Sequence, residues 1–258
     1  WGEVSMRYGA ERTAIVTGAA VGIGKAIAAR FADEGVRLVI ADLDAELIEK
    51  TAAGLARGGR PAPVARTGDL SERANADALV AACQEAYGRV DILVNNAGGG
   101  VVRPTLTHTE ETLRATVDRN LWTTIYCSLA ALPVMKAQGY GRIVNMGAES
   151  VRNGLYWHAV YNAAKGGVHG LTTGLAREFI GDGITVNTVA PSAIRTEAYD
   201  AFNRPEELAM IKKMVDLIPA GRAGTVDEVA SMVAYLASDE AGYVTGQVVS
   251  VNGGSSML

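Results

Sequence analysis

The 258-residue sequence has only two cysteines and three histidines. Cys83 and Cys127 stand far apart, and no CxxC or HExxH pattern occurs. No metal site is therefore expected, and the thiols read as reduced, semi-buried groups of a reducing, cytoplasmic compartment. No apolar run reaches about 18 residues, so no membrane span is expected. Trp1 to Arg12 lack the apolar stretch of a signal peptide and read as a short exposed arm, 1–12, ahead of one domain over 13–258. Repeats, low-complexity stretches and Pro/Ser-rich linkers are also missing. There is no excess of positive charge: 24 basic and 28 acidic residues give 24 − 28 = −4. That argues against nucleic acid or an anionic membrane as the main partner, while a local arginine can still hold an acidic small molecule.

What is present is a folded α/β pattern. Hydrophobic residues make up 48% and charged residues 20%, which excludes a disordered chain. Seven short apolar runs suit strands buried on both faces: 13–17, 38–41, 63–66, 92–95, 142–146, 185–189 and 248–251. Between them, apolar residues recur three to four apart, as in Ile23, Ile27 and Phe31 or Val168, Leu171, Leu175 and Phe179. The longest helical region is expected over Leu106–Gln138. Alternating β and α predicts a single-domain, Rossmann-type, doubly wound parallel sheet with helices on both faces. The stretch 195–219 breaks the alternation and reads as a helical flap over the carboxyl edge of the sheet, where ligands bind in such folds.

The first strand runs into Gly18-Ala19-Ala20-Val21-Gly22-Ile23-Gly24 and then a helix. Glycines let a backbone turn tightly and approach a pyrophosphate, and a helix N-terminus offers N–H donors and partial positive charge. Asp42 ends the second strand, 18 residues after Gly24. A carboxylate there can bind a ribose 2′-hydroxyl and repels a 2′-phosphate, which points to NAD rather than NADP.

The spacing Gly18-x3-Gly22-x-Gly24, the run Asn95-Asn96-Ala97-Gly98, the segment Gly68-Asp69-Leu70, Asn120 in the long helix, and Tyr161-x3-Lys165 stand in one order. Ala190-Pro191-Ser192 with Thr196 and the glycines 246–254 follow. Together they resemble the short-chain dehydrogenase/reductase family from about Thr13 to Gly254. The resemblance implies that NAD is held by the glycine turn with Val21 and Ile23, by Asp42 and Leu43, and by Asp69 and Leu70. It adds Asn96, Ala97 and Gly98, then Tyr161 and Lys165, and finally Pro191, Ser192, Ile194 and Thr196. It implies hydride transfer between nicotinamide and a secondary alcohol or ketone, and a homotetramer. Tyr161 exchanges the proton, Lys165 bonds the nicotinamide ribose, and Asn120 holds a relay water. On a helix, positions i and i+4 share a face, and an ammonium beside a phenol is expected to lower its pKa from about 10.

One departure stands out. The family's serine 13 positions before the tyrosine falls at 161 − 13 = 148, which is alanine. Three readings stay open: Ser150 reaches in from two residues along; Tyr161 works with another donor, such as Glu149 or a water; or the hydroxyl has been removed and the reaction weakened or lost. The last makes a catalytically impaired or non-catalytic NAD-binding protein the alternative function. On the substrate side, the pocket candidates are Gly99, Val101, Arg103, Arg152, Leu155, Tyr156, Trp157, Tyr199 and Phe202. The bulky Tyr156-Trp157-His158 suits a ring-shaped substrate or a subunit interface, and Arg103 or Arg152 suits a carboxylate. His158 and His169 read as structural. The C-terminal third resembles dehydrogenases of alicyclic hydroxy acids, their acyl-CoA esters and ring diols.

Overall fold

A computed structural model describes Tyr8 and residues 11–56, 62–201 and 205–257. The chain first lays down β1 (Thr13–Thr17), α1 (Gly22–Asp33), β2 (Arg37–Asp42), α2 (Ala45–Leu55), β3 (Val64–Thr67), α3 (Arg73–Tyr87) and β4 (Ile92–Asn95). The middle holds α4 (Glu110–Val117), α5 (Thr123–Gln138), β5 (Gly141–Met146), α6 (Ser150–Asn153), α7 (Ala159–Phe179) and β6 (Ile184–Pro191). Last come β7 (Ile194–Arg195), α8 (Glu197–Asp200), α9 (Pro205–Asp216), β8 (Gly224–Thr225), α10 (Val226–Leu236) and β9 (Val248–Val251).

Seven strands pair in parallel in the order β3-β2-β1-β4-β5-β6-β9. Alternate side chains of each strand feed opposite layers. Val16, Val94 and Val144 pack with Ile27 and Phe31 of α1 and Val233 of α10. Ile15, Leu93 and Ile143 pack on the other side with Cys83 of α3, Met135 of α5 and Leu175 of α7. Strand order reverses between β1 and β4, which opens a crevice beyond their carboxyl ends.

Three features differ from the sequence reading. β3 lies at the sheet edge, and its residues are partly buried or exposed rather than enclosed on both faces. The expected helix over Leu106–Gln138 is broken. A reciprocal cap between Thr109 and Thr112 starts α4 afresh, and a π turn over Asp118–Trp122 separates it from α5. Third, the expected exposed arm is anchored where it is described: Tyr8 is buried, donates to the Ala234 carbonyl (2.7 Å) and meets Phe31 edge-on. β7 and β8, two residues each, form a small sheet of their own. The stretch 195–219 carries α8 and α9 between these two strands.

Candidate active site

The glycine turn follows directly from the end of β1. Gly18 and Gly22 adopt φ of +62° and +57°, a region that favours glycine. Gly24 has no room for a side chain, because a Cβ there would strike the Gly18 carbonyl. Asn96 fixes the turn by donating from Nδ2 to the carbonyls of Thr17 (3.0 Å) and Gly18 (2.9 Å). The Thr17 hydroxyl in turn accepts from the Asn96 and Ala97 amides. No side chain of its own cap closes α1; instead, the Gly22 amide donates to the Glu197 carboxylate (3.0 Å). An anion already sits on that helix end, which shows that its amide accepts negative charge; a pyrophosphate held there takes the carboxylate's place.

Two adjoining cavities share Gly18, Val21, Asn96 and Gly98. The smaller, about 230 Å³, is walled by Asp42, Leu43, Asp69, Leu70, Ala97 and Arg119. Asp42 is held rigidly, accepting from the amides of Ala20 (3.0 Å), Leu43 (2.8 Å) and Asp44 (3.3 Å). The larger, about 700 Å³, runs past Gly22 and Ile23 to Met146, Ala148, Tyr161 and Lys165, with Pro191, Ser192, Ile194 and Thr196 on the opposite wall. A dinucleotide fits this chain of features: an anion-accepting helix end between a carboxylate-lined compartment and a roomier one.

Tyr161 and Lys165 lie one turn apart on α7, with the Lys165 Nζ 5.9 Å from the phenol ring centre. Lys165 is buried, and its Nζ donates to the Met146 carbonyl (2.8 Å). Asn120, fully buried in the π turn, clasps Gly99 in both directions: its Oδ1 accepts from the Gly99 amide and its Nδ2 donates to the Gly99 carbonyl, each at 3.1 Å. π turns of this kind recur at functional sites. A Cβ on Gly98 would meet both Asn120 Oδ1 (2.7 Å) and Lys165 Nζ (3.3 Å), so the glycine lets these groups converge.

Burial sets the electrostatics. It pushes the Tyr161 phenol up to about 12 and the Lys165 ammonium down to about 8. The sequence reading expected the ammonium to lower the phenol. The direction is the reverse, because Nζ is turned to the Met146 carbonyl and desolvation governs both groups. Burial, then the charges of Arg152 and Lys165, hold His169 down at about 4, so it is neutral.

The other candidates are scattered. Ser150 does not line the cavity that Ala148 lines: α6 begins at Ser150 and turns its hydroxyl to Asn162 Oδ1 (2.6 Å). Glu149 is fully buried and accepts from the Ser256 hydroxyl. Arg152 is braced on β9, donating to Ser250 Oγ (2.6 Å) and the Val248 carbonyl (3.0 Å), and Arg103 is spent on Thr107. Of the pocket candidates among the described residues, only Gly99 lines the larger cavity. Val101, Leu155 and Tyr199 do not, Tyr156 and Trp157 are exposed and meet edge-on, and Phe202 lies outside the described residues. Sequence reasoning missed Arg119, Met146, Gly147 and Glu197 as wall residues, and Gly100. A Cβ on Gly100 would reach the Tyr161 ring at 2.5 Å. The third glycine in the run Gly98-Gly99-Gly100 was the one available signal.

The sheet, the glycine turn at its switch point and the paired Tyr161 and Lys165 define a dinucleotide-dependent oxidoreductase. The family model described as enoyl-(acyl carrier protein) reductase matches residues 18–256. The 2,3-dihydroxy-2,3-dihydro-p-cumate dehydrogenase of Pseudomonas putida is 55% identical over 248 residues, 96% of this chain and 95% of that protein. The 1,6-dihydroxycyclohexa-2,4-diene-1-carboxylate dehydrogenase of Acinetobacter baylyi is 37% identical, covering 94% and 95%. The crystal structure of YwfH, an NADPH-dependent reductase involved in bacilysin biosynthesis, superposes with a TM-score of 0.89 at 28% identity, over 96% of this chain and all of that one. The chain belongs to the short-chain dehydrogenase/reductase family, and it is an oxidoreductase of CH–OH groups that uses a nicotinamide cofactor.

Proposed function

We propose that this chain is an NAD-dependent dehydrogenase of a dihydroxylated, partly reduced ring, with Tyr161 and Lys165 at the chemical step. The observation that carries the reading is that these two side chains line the same 700 Å³ cavity as Gly18, Gly22 and Ile23. A nicotinamide bound there supplies the hydride acceptor. Tyr161 holds the substrate hydroxyl and exchanges its proton at Oη. For the alcohol to lose its proton Tyr161 must accept it as phenolate, a form that burial disfavours at neutral pH by pushing the phenol up to about 12. Lys165, one turn on with its Nζ 5.9 Å from the ring centre, is the positive charge available to that phenolate once Nζ turns from the Met146 carbonyl. Asn120 keeps the Gly99 backbone in place opposite. The substrate class rests on the two relatives, both named for dihydroxylated compounds.

NAD is favoured over NADP because Asp42 and Asp69 set two carboxylates against one cation, Arg119, around the smaller cavity. A 2′-phosphate there would meet net negative charge. The reading includes a homotetramer in the cytoplasm. The stack of Trp122 on Tyr126, 5.2 Å between centres, and the exposed Leu129 nearby support a subunit contact. Two free, buried cysteines suit a reducing compartment. Light scattering of the purified chain tests the assembly.

The activity test follows NADH formation with ring cis-diols and simple cyclic alcohols, in the wild type and in Tyr161→Phe. Turnover with NAD⁺ that falls by about 10²-fold or more in the variant is expected. Undiminished turnover in Tyr161→Phe, or a preference for NADP⁺, ends the reading.

A further inference from the structure

Ala148 leaves the reacting oxygen one donor short, and neither Ser150 nor Glu149 faces the cavity to replace it. A substrate oxygen that carries developing negative charge gains from more than one donor aimed at it. Three hydroxyl side chains line the larger cavity: Tyr161, Ser192 and Thr196. The Thr196 Oγ1 accepts the Tyr199 amide (3.3 Å) and keeps its own proton, but Thr196 caps α8, outside the stretch 189–191 that pairs with 147–149. The Ser192 hydroxyl makes no hydrogen bond with any of the described residues.

The backbone explains why Ser192 comes close to the gap at Ala148. β5 and β6 are paired through Met146 and Val189, and the pairing continues beyond the strand end. The Gly147 amide donates to the Val189 carbonyl (2.8 Å), and the Glu149 amide to the Pro191 carbonyl (3.0 Å). Residues 147–149 and 189–192 therefore run side by side, and Ala148 and Ser192 open onto one cavity from neighbouring strands. The Ser192 amide is tied to the Val251 carbonyl (3.2 Å), which fixes the backbone from which the hydroxyl reaches out.

We propose that Ser192 is a catalytic residue whose hydroxyl donates the second hydrogen bond to the reacting substrate oxygen, beside Tyr161, where Ala148 has nothing to give. The inference rests on the reading of Tyr161 as the proton-exchanging group. No bond to Ser192 forms or breaks: the proton passes through Tyr161, and Ser192 orients the oxygen and shares its charge.

The test uses the full chain with NAD⁺ and a ring cis-diol. It compares wild type with Ser192→Ala, Ser192→Gly, Ala148→Ser and the double variant Ser192→Ala with Ala148→Ser, alongside NADH affinity by fluorescence. Both substitutions of Ser192 should lower kcat by about 10²–10³-fold. NADH affinity, to which the Ser192 backbone contributes, should fall by less than about tenfold, well short of the loss in kcat. Adding Ala148→Ser to Ser192→Ala should recover about tenfold or more, by restoring a donor from the adjacent strand. Three results overturn the proposal: kcat in Ser192→Ala within about threefold of wild type, a loss of NADH affinity that matches the loss of kcat, or no recovery in the double variant. Undiminished activity of Tyr161→Phe in the same assay removes the underlying reading itself, which separates the two failures.

Discussion

Replacing Lys165 with methionine should stabilise this protein while stopping it from working. The ammonium is buried, and burial holds its pKa at about 8 instead of 10.5. Each tenfold change is worth about 1.4 kcal/mol, so the charged side chain costs the fold about 3 kcal/mol at neutral pH. Methionine fills the same channel without charge but leaves the Met146 carbonyl without its 2.8 Å donor, at about 1 kcal/mol. The net gain is about 2 kcal/mol, or a melting temperature higher by roughly 4–8 °C in a domain of this size. The pH dependence is specific. Lysine is the base here, and its folded value lies below its unfolded one. The penalty is therefore full below about pH 8 and fades as pH climbs through 10.5, above which both states are neutral. Thermal melts of wild type and Lys165→Met at neutral and alkaline pH should converge as pH rises, while the variant's turnover falls by about 10²-fold or more. A variant that melts at or below wild type at neutral pH, or a gap that ignores pH, refutes the argument.

Other substitutions probe other parts of the frame. Gly24→Ala pushes a methyl against the Gly18 carbonyl and Asn96 Nδ2. It should cost about 1–3 kcal/mol in a thermal melt and weaken NADH binding, and wild-type behaviour would dismiss the close approach. Asp42→Asn keeps the side chain's size and removes the charge, retaining the Leu43 and Asp44 amides on Oδ1 while losing the one from Ala20. The ratio of kcat/KM for NADP⁺ over NAD⁺ should rise by about tenfold, and an unchanged ratio would show that charge does not set the preference. Burial alone would raise the Asp91 carboxyl, but the Arg89 hydrogen bond, the Thr13 amide and the charges of Arg89 and Arg12 outweigh it and hold it below the usual range. Asp91→Asn should lose about 3–5 kcal/mol by urea melt. In the wild type that contribution is present above the ordinary carboxylate range and vanishes as pH falls through the depressed value. A variant with the wild type's acid sensitivity would count against it.

Legibility in the sequence followed the range of the forces involved. β1, β4, β5 and β6 are runs of buried apolar residues, and each stood out because nothing local competes with enclosure on both faces. β7 and β8 did not, since two residues carry no period. The glycine turn and the i, i+4 pair of Tyr161 and Lys165 were visible because their geometry is set within a few residues. Of the three readings left open at Ala148, the one through Ser150 could not be judged from spacing: the helix that starts there rotates its hydroxyl onto Asn162. Glu197 and Arg119 are wall residues only through the folding together of distant segments, 175 positions apart for Glu197 and Gly22, and no local pattern announces that.

Gly147 and His169 constrain one another. A side chain at 147 would run into the His169 ring and into Thr188 Cγ2 at 2.6 Å. The buried Nε2 of His169 has no hydrogen-bond partner among the described residues, and the ring is neutral. A larger residue at 147 therefore requires room to be made at both His169 and Thr188. The two positions are coupled through this contact, and the stability effects of substituting them should not add.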